Sequence, residues 1–156
     1  MYRSGFAAGL ALVVLGFAGA ATAGEQVVLK GTLDGTITRT PIPPLVKVDV
    51  VGEGQASQLG RFGLTIAAVA DPVAQTASGT YSLVAANGDT LFADFVGVSM
   101  VTDIPGVAYV VETATITGGT GRFAGATGGF IVERIADRDS GETYGSFEGT
   151  ISSPGS

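Results

Sequence analysis

The sequence predicts an all-β fold, an eight-stranded antiparallel barrel closed on itself behind a leader helix, on three observations. After residue 23 the chain divides into eight segments in which apolar and polar residues alternate, the period of a half-buried strand. The connections between them carry proline, glycine or Asn-Gly, the residues that turn a chain. No segment in this region has the 3.6-residue period of a helix. An even strand count lets the last strand meet the first antiparallel and leaves no exposed edge. A two-sheet sandwich competes, because alternation alone does not establish closure.

The first 23 residues read as an export leader. Arg3 gives a short positive start, residues 6–17 an apolar stretch, and Ala21-Thr22-Ala23 the small-x-small pattern of a signal-peptidase site. The apolar stretch is shorter than the roughly 20 residues that cross a bilayer, and Gly9, Gly16 and Gly19 interrupt it. Cleavage near Ala23 takes 23 residues from 156 and leaves 133, enough for one domain spanning 24–156. The expected location is secreted or periplasmic.

The strands follow in order. Residues 27–38 place Leu29, Leu33 and Ile37 on one face, and Lys30, Thr32, Asp34 and Thr36 on the other. Pro41, Pro43 and Pro44 lack the amide hydrogen a ladder needs and mark a connection. Val46, Val48 and Val50 alternate with Lys47 and Asp49 as a second strand, and 52–58 reads as a loop or bulge. The third segment, 59–70, stops at Asp71-Pro72. Segments 80–86 and 90–98 flank Asn87-Gly88-Asp89, the clearest hairpin signal, for which a tight primed turn is expected. Pro105-Gly106 precedes 107–117, and a glycine-rich run leads to 130–136. Asp137-Arg138-Asp139-Ser140-Gly141 turns the chain into 143–151.

The glycine-rich run, 118–128, follows a β-branched segment and plants one large ring, Phe123, among small residues. Its Gly119-Thr120-Gly121-Arg122-Phe123 core, with the small residues and glycine after it, resembles the allene oxide cyclase-like barrel superfamily, which includes the plant dirigent proteins. Leu59-Gly60-Arg61-Phe62, Ala85-Ala86-Asn87-Gly88-Asp89-Thr90-Leu91 and Gly145-Ser146-Phe147-Glu148-Gly149-Thr150-Ile151 are similar to a bacterial, exported branch of it. The resemblance implies an eight-stranded antiparallel barrel, often trimeric, with an apolar cavity. In the plant relatives that cavity steers cyclisation or coupling of small hydrophobic molecules; in the bacterial branch no activity is implied. Relatives commonly carry Thr-His before the Leu-Gly-Arg-Phe stretch, where this chain has Ser57-Gln58. A proton-transfer role for that histidine could not pass to Gln58.

Composition narrows the chemistry. The formal charge is −6, and −7 once the leader with its single arginine is gone. Such a chain lacks the basic stripe that nucleic acid requires. Cysteine and histidine are both absent, which removes disulfides, thiol chemistry, His-based triads and His-ligated zinc. Gly119-x-Gly121-x-x-Ala124 matches a dinucleotide fingerprint with Asp139 at a suitable distance, but that motif must open a helix. Here Gly125, Gly128 and Gly129 and then a strand follow, so a structural turn and no cofactor is the expectation. Asp137, Asp139 and Glu142 put hard oxygen donors in one turn, a candidate calcium site; Arg138 between them and the missing EF-hand pattern favour a solvated hairpin tip.

The remaining candidates are Glu112, Asp94 and Glu133, each sharing the parity of apolar neighbours in its strand. A carboxylate facing a cavity can act as an acid or base, and Glu112 is the best placed, followed by Asp94. Tyr81, Phe95, Tyr109 and Phe147 are candidates to line a ligand cavity, with core packing the simpler role. Arg61 and Arg122 sit in matching Gly-Arg-Phe triplets and are expected outside, paired with carboxylates, if the rings lie inside. The leading functional reading is an exported barrel that binds a small hydrophobic molecule or serves a structural role. The alternatives are a cofactor-free cyclase or isomerase, and an oligomeric module with a packed core. A cavity of about 300 Å³ or more separates the ligand readings from a filled barrel.

Overall fold

A computed structural model describes residues 25–153. The expected leader helix and its cleavage site lie outside the described residues. Eight strands succeed one another: β1 (Gln26–Ile42), β2 (Leu45–Ala56), β3 (Gly60–Asp71), β4 (Thr76–Ala85), β5 (Thr90–Val101), β6 (Val107–Gly119), β7 (Gly128–Asp137) and β8 (Glu142–Ser152). Each pairs antiparallel with the next, and β8 returns to β1 to close the barrel. The first part of β1 pairs with β8, from Gln26↔Ser152 to Thr36↔Glu142. Its later part pairs with β2, from Gly31↔Ala56 to Ile42↔Leu45. That stagger along one strand is what tilting and closing a sheet requires. No sandwich forms.

Inward-facing side chains build one core. Leu29 and Leu33, Val48 and Val50, Leu64 and Ile66, Leu83, Leu91, Val132 and Ile151 are all buried in it. Four inward-facing phenylalanines stand directly across from glycines on a neighbouring strand: Phe62 from Gly54, Phe95 from Gly79, Phe130 from Gly149, and Phe147 from Gly31. A ring lying over a bare backbone fills the space a second side chain would contest, and lets the strands curve tightly there. Edge-to-face and tilted contacts link the rings in series across the barrel. Phe62 lies 6.0 Å from Phe147, Phe147 5.3 Å from Phe130, Phe130 5.8 Å from Tyr81, and Tyr81 5.2 Å from Phe95.

Three local expectations are corrected. Residues 52–56 are not a loop: β2 runs on to Ala56, with Gly52 and Gly54 facing Leu64 and Phe62. Pro41 lies within β1, one residue before its end and opposite Val46, and does not sit in the connection. The Asn87-Gly88 hairpin does not use a primed turn, since only Gly88 takes a positive φ, +93°. Its amide bonds the Ala85 carbonyl and the Ala85 amide bonds the Asp89 carbonyl, making a three-residue loop with glycine in the left-handed position. The Asn87 side chain accepts from the Asp89 amide, an Asx bond that competes with the primed geometry.

One end of the barrel is plugged. The glycine-rich run makes a single 3₁₀ turn, Gly121–Phe123, which drops Phe123 into the core beside Leu59 and Ala126. A strand follows, as a structural turn predicts. Arg122 lies over the Phe123 ring at 4.8 Å and 3.6 Å from Asp89, while Arg61 lies 3.5 Å from Glu53 on the outer face. Among the described residues no helix is long and apolar enough to cross a membrane.

Candidate functional site

At the opposite end the barrel stays open. The ends of β1, β3, β5 and β7 and the starts of β2, β4 and β6 surround a vestibule of about 80 Å³. Apolar residues from these strands, among them Val46, Val48, Ala68, Val110 and Ala136, form its wall. Beneath it the interior is filled by the aromatic series and the aliphatic core.

Glu112 and Arg134 form the floor. They are the two charged side chains buried among the described residues, 1% and 6% exposed. Strand alternation sends Glu112 inward from β6 and Arg134 inward from β7, two residues beyond Val132, which is the direct partner of Glu112. On the other side Glu112 faces Gly97, where a Cβ would come within 2.8 Å of its Cγ. Glycine there leaves the carboxylate room to lie across the barrel.

Arg134 grips Glu112 with two bonds, Nε to Oε1 at 3.1 Å and Nη2 to Oε2 at 2.9 Å. Its remaining nitrogen, Nη1, donates to Thr143 Oγ1 at 2.9 Å, and that hydroxyl donates to the Ile135 carbonyl at 2.7 Å. The Tyr81 hydroxyl donates to Glu112 Oε1. Burial pushes the Tyr81 phenol well above its ordinary range, and the Glu112 carboxylate pushes the same way. Burial works against the Arg134 charge, but Glu112 beside it more than reverses that and holds the guanidinium protonated. Near neutral pH Tyr81 keeps its proton and Arg134 keeps its charge, so neither can accept a proton. Both Glu112 oxygens are already engaged. The assembly is a fixed dipole, well suited to orienting and poorly suited to proton transfer.

The sequence candidates separate cleanly. Glu112 lines the vestibule, and Tyr81 bonds to it from the core beneath without lining the opening. Phe95 and Phe147 are packed within the core and do not line the vestibule. Tyr109 lies on the outer face, where its hydroxyl donates to Glu133 at 2.7 Å; burial first and Glu133 second raise its phenol. Asp94 also faces outward, across from Thr80 and Thr115. The Asp137 carboxylate is taken by the amides of Asp139 and Ser140, as a hairpin tip requires. Arg134 is the residue that sequence reasoning missed. It shares its parity with Phe130, Val132 and Ala136, but the apolar Ile131 and Ile135 on the other face drew attention to Glu133.

No family model matches the chain, and no curated protein sequence matches it. Among solved structures, a pterocarpan synthase dirigent protein is similar, with a TM-score of 0.51 and 16% identity over 81% of this chain and 89% of that one. At that identity the likeness concerns architecture alone. The chain has a dirigent-like barrel fold.

Proposed function

We propose that this protein is an exported, non-catalytic barrel that holds one end of a small, partly apolar molecule in its open vestibule. The observation that carries the reading is an apolar ring open to solvent above an immobilised Glu112–Arg134 pair. The volume limits the guest. At about 80 Å³ the vestibule falls short of the roughly 300 Å³ expected of an internal ligand cavity, so the barrel interior is not a ligand chamber. Its open end accepts only a terminal group while the rest of the molecule remains outside. Export rests on the leader pattern of residues 1–23.

The cyclase or isomerase alternative, with Glu112 or Asp94 as acid or base, draws on the family resemblance, and the similar dirigent structure is a pterocarpan synthase. It is the weaker reading for this chain. Glu112 would have to exchange a proton while bonded to Arg134 and Tyr81, and the filled interior leaves no chamber in which to fold a substrate. Native mass spectrometry of protein taken from the periplasm or medium tests the proposal. A small-molecule adduct is expected, and Ala136→Leu, which fills the vestibule, should release it. Repeated isolation of bare protein would count against ligand binding.

A second role is favoured by the outer face of β5. Phe92, Val96, Val98 and Met100 stand exposed there, Val96 at 63%, beside a groove that Val69 and Val111 also line. This face suits self-association, for which the family resemblance suggests a trimer. Sedimentation should show an oligomer that Val96→Glu converts to monomer; a native monomer removes this role.

A further inference from the structure

We infer that the vestibule is a receptor for a small organic monocarboxylate, its head group held by Arg39 and Arg138 and its tail against the apolar wall. This rests on the proposed function in one respect, that the vestibule is a ligand site at all. Arg39 falls on the inward parity of β1, and Arg138 follows β7 directly; both line the opening. With Arg134 below them, three of the eight basic residues of an acidic chain converge on one small space.

Their lack of partners is the telling feature. Among the described residues Lys47, Arg61, Arg122 and Arg134 each pair with a carboxylate, whereas Lys30, Arg39 and Arg138 form no ion pair, and of these three only the two arginines line the vestibule. Partial burial, then the repulsion of Arg138 and Arg134, lowers the pKa of Arg39. Cations kept together against their own repulsion are relieved by an anion placed between them. Two guanidinium forks suit a planar carboxylate, which each can meet with charge-assisted bonds.

The charge around the opening sets the valence of the guest. Among the residues that line the vestibule, the cations Arg39, Arg134 and Arg138 outnumber the carboxylates Asp71 and Glu112, an excess of one positive charge. A monoanion neutralises it, whereas a dianion such as a phosphate monoester overshoots and meets Asp71 at the rim. The wall of Val46, Val48, Ala68, Ala70, Val110 and Ala136 then favours a short hydrocarbon tail over a bare inorganic ion.

Calorimetric titration with hexanoate, hexanamide and hexyl phosphate at low ionic strength tests this. Hexanoate is expected to bind about tenfold or more tightly than hexanamide, because its bonds to the guanidinium groups are charge-assisted. In Arg39→Gln/Arg138→Gln that preference should vanish, hexanoate losing far more affinity than hexanamide. Arg61→Gln, on the outer wall, should leave the preference intact. Both vestibule arginines are exposed, so the double variant should melt close to wild type, and Arg39→Gln alone should halve the preference on a logarithmic scale. Equal binding of hexanoate and hexanamide overturns the monocarboxylate inference and leaves the vestibule a ligand site. Binding of neither, with no adduct in native spectra, overturns both. A preference that survives the double substitution, or tighter binding of hexyl phosphate, overturns the assignment to these arginines.

Discussion

Glu112 and Arg134 make each other's burial tolerable, and the consequence is measurable. Removing one partner of a buried pair strands the other charge and costs about 3–5 kcal/mol. Glu112→Ala is therefore expected to destabilise the protein by that amount in urea unfolding. Replacing the whole polar set with Tyr81→Phe/Glu112→Leu/Arg134→Met should cost less than the single change, because no polar group is left without its partner. A triple variant less stable than Glu112→Ala would mean that the network contributes more than mutual compensation. Tyr81 adds a pH dependence. In the unfolded chain its phenol ionises near pH 10, whereas burial and Glu112 keep it protonated in the fold. Unfolding then releases a proton above pH 10, and stability should fall by about 1.4 kcal/mol per pH unit for this group, a slope that Tyr81→Phe removes. An unchanged slope in that variant would refute the assignment. Glu112 was legible in the sequence through parity alone. Arg134 was not, because β7 carries apolar residues on both faces and parity alone cannot tell inside from outside.

Along each strand the fold depends on glycines set opposite phenylalanines, and two kinds of glycine should respond differently to substitution. At Gly149, across from Phe130, a Cβ would run into the Gly129 carbonyl, and that backbone atom cannot move without breaking the β7–β8 ladder. Gly149→Ala should cost about 1–3 kcal/mol, the usual range for overpacking. Gly88 lies in the β4–β5 turn with open space around it and φ at +93°, so Gly88→Ala meets strain without a clash. A smaller loss of about 1 kcal/mol is expected. Chemical denaturation of both variants checks the order; the reverse order would remove the proposed reason for the inner-face glycines. These glycines also explain where strand reading failed. Gly52 and Gly54 look like a break in isolation, yet they are the positions at which β2 passes beneath Leu64 and Phe62. Their meaning depends on the facing strand, which the local sequence does not contain. The strands with unbroken alternation were legible within a few residues.

At the scale of the molecule, closure of the sheet organises everything else. It removes the edges of β1 and β8, buries the aromatic series, and leaves one plugged end and one open end ringed by arginines. The strand count made a barrel legible, but it could not exclude a sandwich, because the pairing that decides between them joins residues at opposite ends of the described chain. That seam offers the most direct measurement. Lys30 and Glu148 are exposed and directly opposite each other across β1 and β8. Opposed residues in an antiparallel pair have Cα atoms about 4.5–5.5 Å apart, within the span of a disulfide. The chain contains no cysteine, so Lys30→Cys/Glu148→Cys carries the only two thiols. Mild oxidation should convert it to an internally cross-linked monomer with an unchanged circular dichroism spectrum. Two thiols that stay free, or that join only between molecules, would show that β8 does not return to β1 and would contradict the barrel.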